Sequence, residues 1–451
     1  MKMKKKLELK KYKKDRLIEV VKTFQRKENQ SKINKIKINS KDNKNNKTIK
    51  ENIINLILRF KNKKKENSTL SQSVNQNQQT QRNIGVELAR IIAIYFIINL
   101  HILYHGGPLF NSKILTPENN LYVFFAALFN SGVNIFGMIS GFVGYRSHKF
   151  GNLLHLLIQT SFYNYGIAYY FSKTRPEYNV DPNSERFIYP AFIIDYWYFT
   201  AYFIMYFLLP LINSGINSMD KRKYGIFNFI VFLFFSCFYQ IKHYSKVLNN
   251  DLFSLKNGFS YIWLLILYFF GGYFGKFNST SRNRNKFLLF ILLSSIIVIV
   301  TWYRTKLVVN KIKFYNNSDG MKAEYTAPSC VIVAVCFIMM LTKLEIKINI
   351  IKKIISFFGP LTYGIYLTHN HLIVRTKIIA NNYRWLLNYH SYKLLLMEGF
   401  ESFKIFMLCA FIDYIRFLIF KALRIKQICL LISNLFDKIC NGFLAIFEFI
   451  Y

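Results

Sequence analysis

Hydrophobic residues fall into blocks of about twenty along most of the chain, with short polar segments between them. A block of this length crosses a hydrocarbon core of about 30 Å as an α-helix. An open sheet would leave backbone groups unsatisfied in lipid, so helices are the spanning form that the pattern favours. The sequence therefore predicts an all-α, polytopic membrane protein with about ten transmembrane helices. The predicted spans are residues 86–104, 121–143, 153–172, 194–213, 225–241, 260–275, 287–303, 327–342, 361–380 and 403–423.

The basic residues between these blocks predict how the chain is threaded through the membrane. Lys and Arg stay on the cytoplasmic side of membrane proteins, and the loops after the second, fourth, sixth and eighth spans are rich in them. The loop 304–326 is also basic, but long loops translocate largely regardless of charge. The pattern predicts both termini on the cytoplasmic side of a plasma membrane or an endomembrane.

Residues 1–83 differ from the rest of the chain because they are rich in Lys, Asn and Gln. Residues 1–82 alone hold 25 of the 61 Lys and Arg. Such a segment buries too little apolar surface to fold alone, and it lacks the apolar region of a signal peptide. We therefore expect a basic, disordered cytoplasmic tail. The net charge of +38 is shared between this tail and the loops, which favours membrane lipids over nucleic acid as partners.

Residues 426–451 form a last apolar segment that Asp437 and Lys438 interrupt. This interruption favours an interfacial segment over a further span, so the predicted transmembrane domain covers residues 84–425. The six cysteines lie in apolar segments without a CxxC motif, which predicts buried free thiols. Small residues four apart in GMISG (137–141) and GGYFG (271–275) predict closely packed helices.

Glu87, Arg90 and His101 lie in one apolar block and carry the main candidate chemistry. Ionisable groups are costly in lipid, so their default interpretation is a polar cavity or pathway. Arg90 and His101 are eleven residues apart, within about 20° on one helix face and roughly 16 Å along it. Histidine is a natural general base for a hydroxyl, and arginine presents a fork suited to phosphate. The alternative is structural, with Glu87 and Arg90 paired near the headgroups and His101 bonded to another helix.

His105 is the main rival to His101 as the base, although the Gly-Gly-Pro that follows predicts that the helix ends there. The two histidines have no third ligand at a suitable spacing, so no metal site is expected. Arg146 and Lys149 follow the second span, and their spacing alone favours an ordinary cytoplasmic anchor.

Asp195, Trp197, Tyr198 and Tyr202 cluster near the outer end of the fourth span. Aromatic residues at that level are typical interface anchors. Stacking against a carbohydrate is the alternative interpretation.

Five segments follow one another along the chain: NIGVELARIIAIYFIINLH, GVNIFGMISGFVGYRSHKF, DYWYFTAYFIMYFLLPLIN, YTAPSCVIVAVCFIMML and SFFGPLTYGIYLTHNHL. Their order resembles that of the motifs in the acyltransferase 3 family of integral membrane acyltransferases, and the resemblance covers roughly residues 83–425. The resemblance implies an acyltransferase 3-like bundle of ten helices. It also implies transfer of an acyl group, commonly acetyl from acetyl-CoA, to a hydroxyl of a cell-surface or lumenal saccharide or glycolipid.

The family's arginine and histidine, with ten residues between them, fall on Arg90 and His101, and Glu87 lies one turn earlier. Its paired basic motif falls on Arg146 and Lys149, where Lys149 replaces the more usual arginine. Its remaining elements fall on Ser140-Gly141-Phe142, with Asn134 nearby, and on Tyr363, Tyr366 and His369.

The resemblance implies that His101 acts as the base or carries the acyl group, and that Arg90, Arg146 and Lys149 bind CoA phosphates. The residues expected to contact the acceptor are Asp195, Trp197, Tyr198, Tyr363, Tyr366 and His369. We expect acetyl-CoA or another acyl-CoA as a co-substrate and no tightly bound cofactor. The alternative function is a transporter or flippase of lipid-linked or acylated saccharides that uses the same charged path. No inverted repeat, a common device of secondary transporters, is visible in the sequence.

Overall fold

The computed structural model describes residues 83–113, 116–146, 149–192, 194–240, 251, 253–277, 291–296, 298–299, 302–303 and 324–450. Within these ranges the regular structure is helical and no strand occurs. The predicted basic tail lies outside the described residues, apart from Asn83. The α-helices are α1 (Ile84–Tyr104), α2 (Pro108–Asn111), α3 (Pro117–Phe129), α4 (Ser131–Gly144), α5 (Phe150–Thr174), α6 (Glu185–Ile188), α7 (Trp197–Ser218), α8 (Lys221–Phe232), α9 (Tyr261–Phe277), α10 (Pro328–Leu341), α11 (Asn349–Phe358), α12 (Thr362–His369), α13 (Ser391–Ala422) and α14 (Ile425–Ile450).

Helix α1 lies at the centre of the bundle and contacts α3, α4, α10, α11, α12 and α13. Its start is fixed by Asn83, whose side chain accepts hydrogen bonds from the backbone N–H groups of Gly85 and Val86. It ends at Tyr104, and Gly107 then adopts φ +100°, a left-handed conformation that suits glycine. The predicted helix end beside His105 is confirmed, and His105 is exposed.

Four stretches of the described residues are long and apolar enough to cross a membrane, and they coincide with the first, second, fourth and fifth predicted spans. They are Ile84–Asn111, Pro117–Gly144, Trp197–Ser218 and Lys221–Gln240. The apolar helices α9 and α10 are shorter, with 17 and 14 residues. Helices α5 and α13 are long but carry buried polar residues such as Gln159 and Asp413. The count of about ten spans is not confirmed, and seven of the 17 residues of predicted span 287–303 lie outside the described residues.

The ninth predicted span, residues 361–380, is wrong as a single helix. Helix α12 ends at His369, and a π-helix, Val374–Ile379, follows after a break. At the break the His371 Nδ1 atom accepts a hydrogen bond from the Ile373 N–H at 3.2 Å. A side chain therefore takes a backbone donor that a continuous α-helix would have used.

Glycines bring α4 and α9 into close contact, as their spacing predicts. A Cβ on Gly141 would lie 2.0 Å from the Tyr268 carbonyl oxygen, and a Cβ on Gly271 would lie 1.8 Å from the Met138 carbonyl oxygen. Each helix thus presents glycine to the backbone of the other. Helix α4, which supplies one wall of the site described below, is held firmly in place.

A buried ion pair joins α5, α12 and α13. Arg416 donates two hydrogen bonds to Asp413, at 2.9 and 2.8 Å, and the Tyr163 hydroxyl donates a third to Asp413 at 2.7 Å. Gly364 of α12 lies against this carboxylate with no room for a Cβ. The network fixes the position of α12, which carries Tyr366 and His369.

Helix α14 packs along α5, where the Phe150 and Phe436 rings stack with their centroids 4.8 Å apart. Whether this segment is interfacial stays a prediction. All six cysteines are free, as predicted, but Cys237 and Cys440 are only partly buried.

Candidate functional site

A narrow cavity of about 30 Å³ lies beside the middle and last turns of α1. Its wall combines apolar side chains with a few polar ones: Ile94, Ile97, His101, Val133, Phe136, Trp197, Tyr198, Tyr325, Tyr366 and Asn370. A cavity of this size holds one or two water molecules. It therefore suits a hydroxyl and a small acyl group rather than a whole sugar ring.

His101 reaches the cavity because its position continues the stripe of α1 formed by Ile94 and Ile97. Its Nδ1 atom is buried and has no hydrogen-bond partner among the described residues. Its ring lies 5.2 Å from the His105 ring and 5.1 Å from the His369 ring, measured between centroids. The imidazole is thus available to a hydroxyl that enters the cavity.

His369 is completely buried at the end of α12. Its Nδ1 lies 2.6 Å from the Ile365 carbonyl oxygen, an acceptor, so Nδ1 carries the proton and neutral Nε2 presents a lone pair. Nε2 has no partner within the described part of the chain. The neighbouring His371 differs, because its Nδ1 accepts from Ile373 N–H and its Nε2–H donates to the Asn164 carbonyl oxygen at 3.2 Å. His371 is a saturated core residue, whereas His369 is not.

Arg90 lies on the same stripe of α1 as His101, nearer the start of the helix. It donates a hydrogen bond to Glu87 Oε1 at 2.9 Å, and about a quarter of its side chain is exposed. Glu87 is buried against Gly359, where it leaves no space for a Cβ. Its role in the structure is to hold Arg90, and it does not line the cavity.

A row of tyrosines on α7 connects the surface near Lys149 with the cavity. Tyr198, Tyr202 and Tyr206 are four residues apart and therefore share one helix face. Tyr198 lines the cavity, and the charge of Arg90 acts on Tyr198 and Tyr202. Tyr206 lies against the backbone of Lys149. The row extends from the surface beside Lys149 to the cavity beside His101.

The sequence model of the acyltransferase 3 family, described as an acyltransferase domain, matches residues 83–400. This match spans more than two thirds of the 451 residues. The chain belongs to the acyltransferase 3 family. No curated protein and no solved structure matches it.

The family match includes every residue that lines the cavity. An acyltransferase is therefore the class of enzyme to which this site belongs. Family membership and the four apolar helices together indicate an integral membrane protein.

The structure brings together only part of the site that the acyltransferase 3 resemblance implied. The cavity is lined by His101, Trp197, Tyr198 and Tyr366, and the His369 ring lies 5.1 Å from the His101 ring, measured between centroids. Tyr363 does not line it, because its hydroxyl is hydrogen-bonded to that of Thr160 at 2.7 Å.

Asp195 is not positioned to contact an acceptor in this cavity. Its two carboxylate oxygens accept from Arg186 Nε at 2.5 Å and Nη2 at 2.8 Å, and these bonds raise the pKa of Arg186. Asp195 is therefore satisfied within the protein.

Arg146 and Lys149 are exposed and lie outside the cavity wall. Arg146 Nε donates to the Tyr145 hydroxyl at 2.6 Å. The two cations flank a gap of two residues that are not described. Their position is accessible to a phosphate from solvent.

Several wall residues were not anticipated from the sequence. Tyr325 is positioned by Asn134, whose Nδ2 donates to the Tyr325 carbonyl oxygen at 2.8 Å. Val133 and Phe136 resemble lipid-facing residues in sequence, and Asn370 sits at the break after α12. No group of His, Cys, Asp and Glu suited to a metal ion occurs among the residues that the structure describes.

Proposed function

We propose that this protein is a membrane-bound O-acyltransferase that moves an acetyl group from acetyl-CoA to a hydroxyl of a saccharide or glycolipid at the cell surface or in a lumen. The observation that carries the proposal is the exposure of His101, with an unpartnered nitrogen, to a polar and apolar cavity in an acyltransferase 3 domain. The small cavity volume supports acetyl over a longer acyl chain.

The donor enters from the end of the bundle where α1 begins. Arg90, with Arg146 and Lys149 at the surface, neutralises the phosphates of CoA, and the hydroxyls of the α7 tyrosines accompany the acyl arm. Arg90 and His101 are roughly 16 Å apart along the helix, a distance comparable to the length of an extended pantetheine arm. This arrangement requires both termini on the cytoplasmic side of a plasma membrane or an endomembrane, with the acceptor on the other side.

His101 acts as the general base. It takes the proton from the acceptor hydroxyl as the hydroxyl oxygen attacks the thioester carbonyl carbon. The carbon–sulfur bond then breaks, and the CoA thiolate leaves with the proton returned from His101. Ile94, Ile97 and Phe136 surround the acetyl methyl group, while Tyr198 and Tyr366 lie close enough to orient the reacting oxygen.

His101 is favoured over the other histidines on position. His105 is exposed beyond the end of α1, and both nitrogens of His371 are bonded. His369 is beside His101 but is not part of the cavity wall. His101 alone among these four lines the cavity.

The test uses membranes that contain the protein, incubated with acetyl-CoA labelled in the acetyl group. Wild type is expected to transfer label to a saccharide fraction with stoichiometric release of CoA. His101→Gln is expected to lose about a hundredfold or more of this rate, and His155→Gln, on α5 outside the cavity wall, to retain it. Transfer by His101→Gln at the wild-type rate would exclude His101 as the base. Movement of a saccharide without consumption of acetyl-CoA would instead favour a transporter.

A further inference from the structure

Arg375 is a partly buried arginine that the proposed mechanism does not use. It lies in the π-helix that follows the break after α12. Its Nη1 donates to Asn370 Oδ1 at 3.3 Å, and Asn370 is buried and lines the cavity. The positive charge of Arg375 acts on His101 and His369. Arg375 therefore lies next to a residue of the cavity wall, towards the end of α1 that is opposite Arg90.

Arg375 differs in its charge balance from Arg90 and Arg416, the other described arginines that are at least partly buried. Arg90 is paired with Glu87, Arg186 with Asp195 and Arg416 with Asp413. Within the described ranges no carboxylate forms an ion pair with Arg375, and its side-chain hydrogen bond goes to a neutral amide.

The residues around Arg375 add positive charge and do not compensate the charge of Arg375. Residues 374–384 include Arg375, Lys377 and Arg384 and contain no acidic residue. Asp195, which acts electrostatically on the neighbouring His371, is already bound by Arg186. A partly buried cation without a counter-ion, bonded to a polar residue of a cavity wall, is the arrangement expected of a site for an anionic ligand.

The main chain joins the segment that follows Arg375 to the end of α1 beyond His101. Asn381 N–H donates to the His105 carbonyl oxygen at 2.8 Å, and Tyr383 N–H donates to the Gly106 carbonyl oxygen at 3.1 Å. The segment with Arg375 is thus joined to the end of α1. The donor phosphates are assigned to the beginning of α1, so a second anion at this end belongs to the acceptor.

We propose that Arg375, oriented by Asn370, binds a carboxylate or phosphate group on the acceptor, so that the enzyme selects an anionic saccharide over a neutral one. This inference rests on the proposed function. It assigns to Arg375 a role in acceptor specificity and none in the chemical step. A π-helix at this position is consistent with such a role, since these wide turns are frequent at functional sites.

The experiment compares three probes that offer similar secondary hydroxyls to purified protein and acetyl-CoA. They are methyl glucuronide, methyl glucoside phosphorylated on its primary hydroxyl, and methyl xyloside as the neutral probe. Equilibrium binding of each probe is measured without acetyl-CoA, and transfer is measured with it. Wild type is compared with Arg375→Gln, Arg375→Lys and Arg384→Gln, the last a nearby exposed arginine that bonds Asn381.

Wild type is expected to bind at least one anionic probe about ten- to a hundredfold more tightly than the xyloside, the range expected for hydrogen bonds to a charged group. Arg375→Gln should remove this preference and leave xyloside binding and the KM for acetyl-CoA unchanged. Arg375→Lys should retain part of the preference, and Arg384→Gln should retain it in full. The stronger of the two anionic probes identifies the group as carboxylate or phosphate.

Equal binding of anionic and neutral probes by wild type overturns the inference, as does an equal loss for every probe in Arg375→Gln. A change confined to the KM for acetyl-CoA would place Arg375 in the donor site and also overturn it. Anion binding that depends on Arg375, without any transfer of label from acetyl-CoA, would reject the proposed function and leave the anion site standing.

Discussion

The rings of His101 and His369 lie 5.1 Å apart between centroids, and each presents a buried nitrogen that has no partner in the described part of the chain. In His369 this nitrogen is Nε2, because Nδ1 donates to Ile365. A hydroxyl has one proton and can donate to only one of these acceptors, so the pair suits two neighbouring hydroxyl groups of one saccharide. With a saccharide bound, His369 would accept a hydrogen bond from one hydroxyl and so position its neighbour for transfer of a proton to His101.

For His369→Gln we expect a fall of about tenfold in kcat/KM for transfer, the value of one hydrogen bond. The loss should appear in kcat more than in the KM for acetyl-CoA, since the donor site is at the other end of α1. Steady-state kinetics of purified protein measure both. An unchanged kcat in a variant that elutes as a folded protein would show that His369 is only a packing residue.

Substitution of Arg90 is expected to affect the donor. Arg90→Gln should raise the KM for acetyl-CoA about ten- to a hundredfold, because it removes a charged hydrogen-bond donor from the phosphate site. The KM of Arg90→Lys should fall between those of wild type and Arg90→Gln, since lysine keeps the charge but not the planar fork. Arg175→Gln is the matched control, because its ion pair with Glu177 is more than half exposed. A KM unchanged in Arg90→Gln would remove Arg90 from the donor site.

The contact between α4 and α9 predicts that substitution of its glycines by alanine lowers stability, whereas substitution of a glycine outside the contact raises it. Gly141→Ala and Gly271→Ala force a Cβ into a backbone carbonyl and should cost about 1–3 kcal/mol or more in stability. Gly166→Ala on α5 meets no atom within 4 Å and should stabilise its helix by about 0.5–1 kcal/mol. Thermal unfolding in detergent measures all three. Equal melting temperatures for Gly271→Ala and Gly166→Ala would contradict the packing described here.

The ion pair of Asp413 and Arg416 predicts that the stability of the protein depends on both partners. Asp413→Leu leaves the Arg416 charge buried without its carboxylate and should cost about 3–5 kcal/mol. The double variant Asp413→Leu with Arg416→Met removes both charges and should recover most of this loss. Thermal stability of the two variants and the wild type provides the measurement. A double variant that is no more stable than Asp413→Leu would show that the loss of stability does not come from the unpaired charge of Arg416.

Much of the bundle follows from the pattern of apolar residues, because a helix in lipid must satisfy its own backbone. The stripe from Arg90 to His101 and the glycine contacts of α4 and α9 were therefore predictable. The break at Asn370 was not, because residues 361–380 have the length of a span and the polar residues 368–371 alone do not show whether a helix ends there. The break is marked by the bond between His371 and Ile373.

The cavity wall was only partly predictable for a different reason. Val133 and Phe136 face the cavity. In a membrane protein the same apolar residue types also face lipid, so the sequence does not distinguish the two positions. Asp195 does not line the cavity, and its partner Arg186 is nine residues away on another element, so no motif marks the pair. Arg375 belongs to none of the sequence motifs. Its proposed role in acceptor binding depends on the absence of an ion pair among the described residues.

The two backbone hydrogen bonds from Asn381 to His105 and from Tyr383 to Gly106 tie together parts of the chain that are 276 and 277 residues apart in sequence. Most side-chain substitutions leave such bonds in place, because every residue except proline supplies both a backbone N–H and a carbonyl group. The end of α1 and the segment after the π-helix therefore keep their relative positions when side chains at either place are exchanged. Side chains that face the acceptor can thus be varied on an unchanged scaffold.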